Sequence, residues 1–141
     1  MSTEANKALV QQFVEEFWSG GNVAVAEEMI AKDATIYANN QEVTDIDTFK
    51  ALARSMRTSF PDWYSTLEEL VAEGDKVAER WTGRGTHQGE FQGIPATGRR
   101  VAVPGTVFYR IVEGRIVEFR GQFDRMSMME QLGVLPTLSK A

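Results

Sequence analysis

The chain has 141 residues, 43% of them hydrophobic, a formal net charge of −5 and no cysteine. Residues 1–141 are therefore read as a single domain able to bury a sizeable core, and disulfides, thiolate metal sites and a cysteine nucleophile are excluded. Lysine and arginine are scattered rather than gathered into a basic face, which argues against a nucleic-acid partner.

Residues 4–19 place Leu9, Val10, Phe13, Val14, Phe17 and Trp18 on a wide helical stripe, ended by Gly20–Gly21. Asn22 is positioned to cap a second short helix, Val23 to Ala31, and Ala34–Asn40 reads as a short strand. Thr44 and Asp47 open a third helix in the manner of a capping box. Its Phe49, Leu52, Ala53 and Met56 recur at helical spacing, and Pro61 stops it. Beyond Pro61 the period becomes two, which predicts strands over 62–72, 76–87, 100–112 and 115–123. Glu73-Gly74-Asp75 and Glu113-Gly114 read as tight hairpin turns, and 87–99 as a longer glycine-rich turn. A short helix follows Asp124 and ends at Gly133, with Pro136 beyond it. Helices followed by an antiparallel meander make an α+β chain. A curved sheet wrapped on a helix layer leaves an open mouth where a ligand binds. No apolar run nears the roughly 20 residues of a membrane span. The polar start MSTEANK is unlike a signal peptide, so a soluble cytoplasmic protein without a membrane partner is expected.

The stretch from Gly93 to Arg100 has the glycine spacing of a phosphate loop but lacks its Lys and its Ser/Thr, and a strand follows where a helix is needed. Gly83-Arg84-Gly85 lacks the third glycine of a dinucleotide fingerprint. Zinc would have to take His87, the only histidine, with carboxylates alone, an unusual ligand set. A serine triad fails because no Gly-x-Ser-x-Gly elbow exists. Acid–base chemistry by carboxylate and imidazole, without metal or cofactor, is what remains.

Asp124, at the end of the last strand, is the best carboxylate for that work. Alternation puts Glu118, Arg120, Gln122 and Asp124 on one face, with Val117, Phe119 and Phe123 on the other. A row of polar side chains on one face means either solvent or a polar cavity. Asp124 is equally well placed to cap the final helix, and His87 to serve as a hydrogen-bonded turn residue. Trp81, Phe91, Phe13 and Trp18 read as core or pocket wall.

The run GTHQGEFQGIPATGRR (85–100), the turn from Arg110 to Glu118 and the segment from Phe123 to Pro136 together resemble the SnoaL-like polyketide cyclase (ester cyclase) family. The pattern H-x-G-x-F-x-G from His87 joins D-x6-Q-L-G from Asp124, and Phe60-Pro61-Asp62 adds to it. The resemblance covers nearly the whole chain. It implies the nuclear transport factor 2-like fold, a cone of helices packed on a strongly curved antiparallel sheet. It also implies intramolecular aldol condensation on a polyketide-like carbonyl substrate, with no cofactor. By motif the acid/base aspartate falls on Asp124, and His87 takes the family's histidine position near the same pocket. The sequence departs from many relatives in reading Tyr37-Ala38-Asn39-Asn40 where they carry a histidine, and Arg120 where they carry a tryptophan. A polar group in place of an aromatic wall implies a smaller or more polar substrate.

The reading is thus a cyclase with Asp124 and His87 as catalytic residues. Gln122, Arg120, Trp81, Asn39, Tyr37, Phe13 and Phe17 are the substrate-binding candidates. To act as a base near neutrality Asp124 needs burial beside Phe119, Phe123 and Trp81. The alternatives are water addition by a hydrolase or hydratase, in which Asn39, Tyr37 and Gln122 position the water, and a non-catalytic small-molecule binding protein. A one-layer sheet with apolar residues on both faces also predicts a homodimer or homotetramer joined through the outer face.

Overall fold

The computed structural model describes residues 2–135; Pro136, the expected stop after the last helix, lies outside the described residues. Helix α1 spans Thr3–Phe13 and begins where the Ser2 hydroxyl accepts from Ala5 N at 3.1 Å. It buries Asn6, Val10 and Phe13. The helix then widens into a π-helical turn, Val14–Ser19, in which Phe17 stacks on Phe13 at 4.8 Å between ring centroids. The end of this turn is held by Arg57 of the third helix. Its guanidinium donates to the carbonyls of Trp18, Ser19 and Trp63 at 2.9, 2.8 and 2.9 Å.

The second helix is shorter than its sequence pattern predicts. A 3-10 turn, Val23–Val25, leads into α2, Ala26–Met29, and the Asn22 side chain makes no capping bond. Ile30 and Ala31 instead begin strand β1, Ile30–Ala38, because Ile30 pairs with Ile116 and buries its side chain in the sheet. A turn at Asn39-Asn40, both at positive φ (50° and 65°), reverses the chain into a short strand β2, Gln41–Val43. The cap of α3, Ile46–Ser59, is Asp45 rather than Thr44: its Oδ1 accepts from Thr48 N at 2.7 Å.

The meander follows as β3 (Tyr64–Glu73), β4 (Lys76–Thr86), β5 (Arg100–Val112) and β6 (Arg115–Phe123), and α4, Arg125–Gln131, closes the described chain. The six strands form one sheet in the order β2-β1-β6-β5-β4-β3. Every pairing is antiparallel except β1 with β6, which run parallel, so the last strand returns beside the first. On β5 the odd-numbered residues are buried and the even-numbered ones exposed along the whole strand. The sheet therefore has one face on the core and one toward solvent. The larger core cluster gathers α1, α2, α3 and the inner sheet face around Phe13, Phe17, Phe49, Tyr109 and Phe119. A second cluster joins Phe60, Trp63, Phe91, Val103 and Met128 beneath the 87–99 loop and α4.

Candidate active site

A cavity of about 690 Å³ opens between α3, the β1–β2 turn and the inner face of the sheet. Its walls are mainly apolar and aromatic: Trp18 from the π turn, Phe49 from α3, Trp63, Trp81, Phe91 and Phe119. Exposed polar side chains ring the mouth, among them Gln41, Gln92, Gln122 and Arg125. This mix of apolar wall and few polar groups is what small-molecule sites show. Arg125 Nε donates to Gln92 Oε1 at 3.0 Å, tying α4 to the 87–99 loop across the rim.

Two glycines shape the wall. A Cβ on Gly105 would lie 2.2 Å from Trp81 Cζ2, and one on Gly83 would lie 2.2 Å from Trp63 Cζ2. Strands β4 and β5 thus leave both indoles resting against bare backbone, 6.3 Å apart and edge to face.

Among the described residues, Glu79 is the only buried carboxyl, 4% exposed. It occupies an inward position of β4, between Val77 and Trp81 in the alternation, and lines the cavity. The Tyr109 hydroxyl, from β5, donates to Glu79 Oε1 at 2.6 Å. Burial pushes the Glu79 carboxyl up to about 7, against the Tyr109 hydrogen bond, which pulls it down. Burial and the adjacent carboxyl together hold the Tyr109 phenol well above its ordinary value. The cavity therefore contains a carboxyl able to hold and release a proton near neutrality. Sequence reasoning passed over it. The available signal was an acidic residue on the inward parity of a strand whose neighbours at that parity are Val77 and Trp81.

Asp124 ends β6 and caps α4: its Oδ1 accepts from Ser127 N at 2.9 Å. Its side chain is exposed, not buried beside Phe119, Phe123 and Trp81 as the base reading requires, although its neighbours Phe123 and Arg125 both line the cavity. His87 is fully enclosed and stands behind the wall, 5.3 Å from the Phe60 ring, and does not line the cavity. Its Nδ1 lies 3.2 Å from Thr97 N and 3.0 Å from Thr97 Oγ1. A backbone N–H can only donate, so Nδ1 accepts and the ring proton sits on Nε2. That Nε2 has no hydrogen-bond partner among the described residues.

The binding candidates divide. Trp81, Asn39 and Gln122 line the cavity. Asn39 Oδ1 accepts from Phe123 N at 2.9 Å, and Gln122 Nε2 donates to Asn40 Oδ1 at 3.0 Å, which fixes this side of the mouth. Phe13 and Phe17 are core residues beneath the wall, and Trp18 is the side chain of their helix that reaches the cavity. Arg120 and Tyr37 lie on the outer face of the sheet. They pair in register across β1 and β6, next to exposed Phe108, with the guanidinium 4.6 Å from the phenol ring centre. Arg120 also pairs with Glu118 there. Arg120, expected in place of an aromatic wall, consequently does not make the cavity more polar.

The pattern described as SnoaL-like polyketide cyclase matches residues 8–132. Aklanonic acid methyl ester cyclase DnrD of Streptomyces peucetius is 31% identical over 137 residues, covering 94% of this chain and 92% of that protein. The crystal structure of AclR, a proposed hydroxylase from Streptomyces galilaeus, superposes with a TM-score of 0.88 at 32% identity, covering 96% of this chain and 89% of that one. IdmH of Streptomyces antibioticus, a proposed polyketide cyclase, superposes with a TM-score of 0.82 at 31% identity, over 92% of this chain and 99% of its own. Helices packed on a curved, unclosed sheet are the nuclear transport factor 2-like arrangement, and with residues 8–132 matched this chain belongs to the family of SnoaL-like polyketide cyclases.

Proposed function

We propose that the protein closes a ring in a polyketide-derived substrate carrying several carbonyls, by intramolecular aldol condensation inside the cavity and without a cofactor. The observation that carries this reading is the cavity itself: about 690 Å³, walled by aromatic rings, with a titratable carboxyl within and hydrogen-bonding side chains at its mouth. Flat polycyclic substrates match aromatic walls, and ring closure of a folded chain gains from a site that holds the reacting carbons together. In the proposed reaction a base removes a proton from a carbon flanked by carbonyls, and the enolate is delocalised through the substrate. That carbon then attacks a ketone, whose oxygen takes up a proton. Asp124 is the base in this reading. Its support is the family motif together with its place in the chain between the lining residues Phe123 and Arg125.

The test is incubation with aklanonic acid methyl ester, the compound in the name of the relative DnrD. Chromatography with mass detection should show a product of unchanged mass and new retention, since an aldol closure is an isomerisation. An unconverted substrate would overturn the reading. A product heavier by one water would replace it with the hydratase.

A further inference from the structure

An aldol closure needs two proton transfers, one from carbon and one to oxygen. An aspartate at the rim that has taken the first can return it only to an oxygen within its own reach, whereas a buried carboxyl serves an oxygen held deeper in the cavity. We propose that Glu79 is the proton donor of this site: anchored by Tyr109, its carboxyl protonates the substrate ketone oxygen as the carbon–carbon bond forms. The proposal rests on the ring-closure reading above and assigns the second proton transfer to a group of its own.

Three observations carry it. Glu79 lines the cavity and is the only buried acid among the described residues. Tyr109 donates to Oε1 at 2.6 Å, a bond that fixes one oxygen of a carboxyl whose residue lines the cavity. A carboxyl that accepts through one oxygen from a single donor can carry its proton on the other and give it to a ligand. Among the described residues that line the cavity, no other buried one is charged. Trp18 and Phe49 come from the helices and Ser65 from β3, while the other charged lining groups, Glu42 on β2 and Arg125 on α4, are exposed at the rim. Tyr109 on β5 is the titratable group in contact with Glu79. Burial then keeps a substantial part of the carboxyl protonated at neutral pH, which a donor requires.

The step balances without a further reactant. The base takes the proton from carbon, and the freed electron pair forms the bond to the ketone carbon. The ketone's π pair moves onto oxygen, which takes the Glu79 proton. Glu79 is left as carboxylate and the base protonated, and transfer between them through water restores both.

The experiment measures conversion of aklanonic acid methyl ester against pH for the wild type, Glu79→Gln and Tyr109→Phe, and binding by quenching of tryptophan fluorescence. Wild-type kcat should fall as pH rises through about 7, the region where Glu79 loses its proton. Glu79→Gln, isosteric but unable to donate, should bind the probe with unchanged affinity. Its kcat should drop by roughly 10²–10⁴-fold and the alkaline fall should vanish. Tyr109→Phe removes the donor that favours the carboxylate, so its alkaline fall should move to higher pH, a shift that a purely structural role of Tyr109 would not produce. Turnover by Glu79→Gln at the wild-type rate, or with the alkaline fall intact, overturns the proposal while leaving the cyclase reading standing. Should Glu79→Gln not fold, an unmoved alkaline fall in Tyr109→Phe overturns it instead. A wild type that does not convert the probe removes the ring-closure reading, and the donor role with it.

Discussion

Tyr109 Oη donates to Glu79 Oε1 at 2.6 Å across the β4–β5 pair, a phenol with its own pKa raised by burial holding a carboxyl pushed up to about 7. The relationship joins catalysis to stability, because a proton held more tightly by the folded chain than by the unfolded one makes folding depend on pH.

The sign of that dependence follows from the direction of the shift. The unfolded chain releases the Glu79 proton near the ordinary value of 4.5, the folded chain only at about 7. Between these values the folded state binds more protons, so stability falls as pH rises, fully present below 4.5 and lost through 7. The magnitude is about 3 kcal/mol. Asp45 and Asp62, held low by the backbone N–H groups of Thr48 and Thr86, act in the opposite sense, so the comparison must be of variant against wild type. Glu79→Gln should gain in melting temperature over the wild type at pH 8 and lose that advantage at pH 4. An equal pH dependence in both proteins would contradict the burial of a titrating carboxyl.

The wall glycines give a second test. Gly105→Ala puts a methyl group where Trp81 lies, 2.2 Å from Cζ2, and the indole has to move. The expected loss is about 1–3 kcal/mol of stability, as for other overpacked sites. Tryptophan emission should shift and probe binding weaken, because Trp81 is itself wall. Gly93→Ala is the control, with nothing within 4 Å of its Cβ, although its φ of +85° carries its own strain. Unchanged emission and binding in Gly105→Ala would mean that the indole does not rest on β5.

Parity in the sequence was enough to find most of this fold, and it failed where parity needs a third dimension. The period of two after Pro61 locates β3 to β6 to within about two residues of their observed ends. Strand β2 was invisible because Gln41–Val43 is too short to show a period, and its turn uses two asparagines at positive φ instead of a glycine. Ile30 was misassigned because an apolar residue at the end of a helix satisfies helix and strand patterns alike. The same limit governs the site. Alternation puts Arg120 and Gln122 on one side of β6, and both border an outer recess with Tyr37 and Phe108. Gln122, near the strand's end, also reaches the cavity mouth, and which side meets the helices depends on how they pack. Only the structure shows that Arg120 and Tyr37 face outward and that Glu79 faces inward.

The outer face makes the assembly testable. Val71, Ala78 and Phe108 stand in register across β3, β4 and β5, and Val71 and Phe108 are 59% and 60% exposed. An apolar row of this kind on one face of a sheet is the surface a second copy would cover. Sedimentation should show a dimer or larger assembly at micromolar concentration, and Phe108→Glu should shift it toward monomer with its fold intact. A monomeric wild type would end the idea.

His87 and its loop give a fourth expectation. Its Nδ1 is taken by Thr97, and the ring is sealed behind Phe60, so the imidazole fastens the 87–99 segment to the second core cluster. His87→Gln should lower the melting temperature yet reduce turnover much less than Asp124→Asn. Thr97→Val should cost about 1 kcal/mol, the worth of one hydrogen bond. A His87→Gln variant that is fully stable but inactive would place the imidazole in the chemistry.

Asp124 is where capping and catalysis separate by number. As a cap, its Oδ1 accepts from Ser127 N at 2.9 Å, and Asn in its place caps about as well. Asp124→Asn should therefore leave stability nearly unchanged, and Asp124→Ala should lose about 0.5–2 kcal/mol. As the general base it must accept a proton, which the amide of Asn cannot do. Asp124→Asn should then lose roughly 10²–10⁴-fold in turnover at an unchanged melting temperature. The exposed carboxylate must also come within reach of a carbon held between Phe123 and the rim at Arg125. Arg125→Met, which leaves the cap alone but frees Gln92 and loosens that rim, should therefore raise KM more than it lowers kcat. If Asp124→Asn keeps full turnover and full stability, the side chain is a helix cap alone, and the proton must leave carbon by way of another group in the cavity.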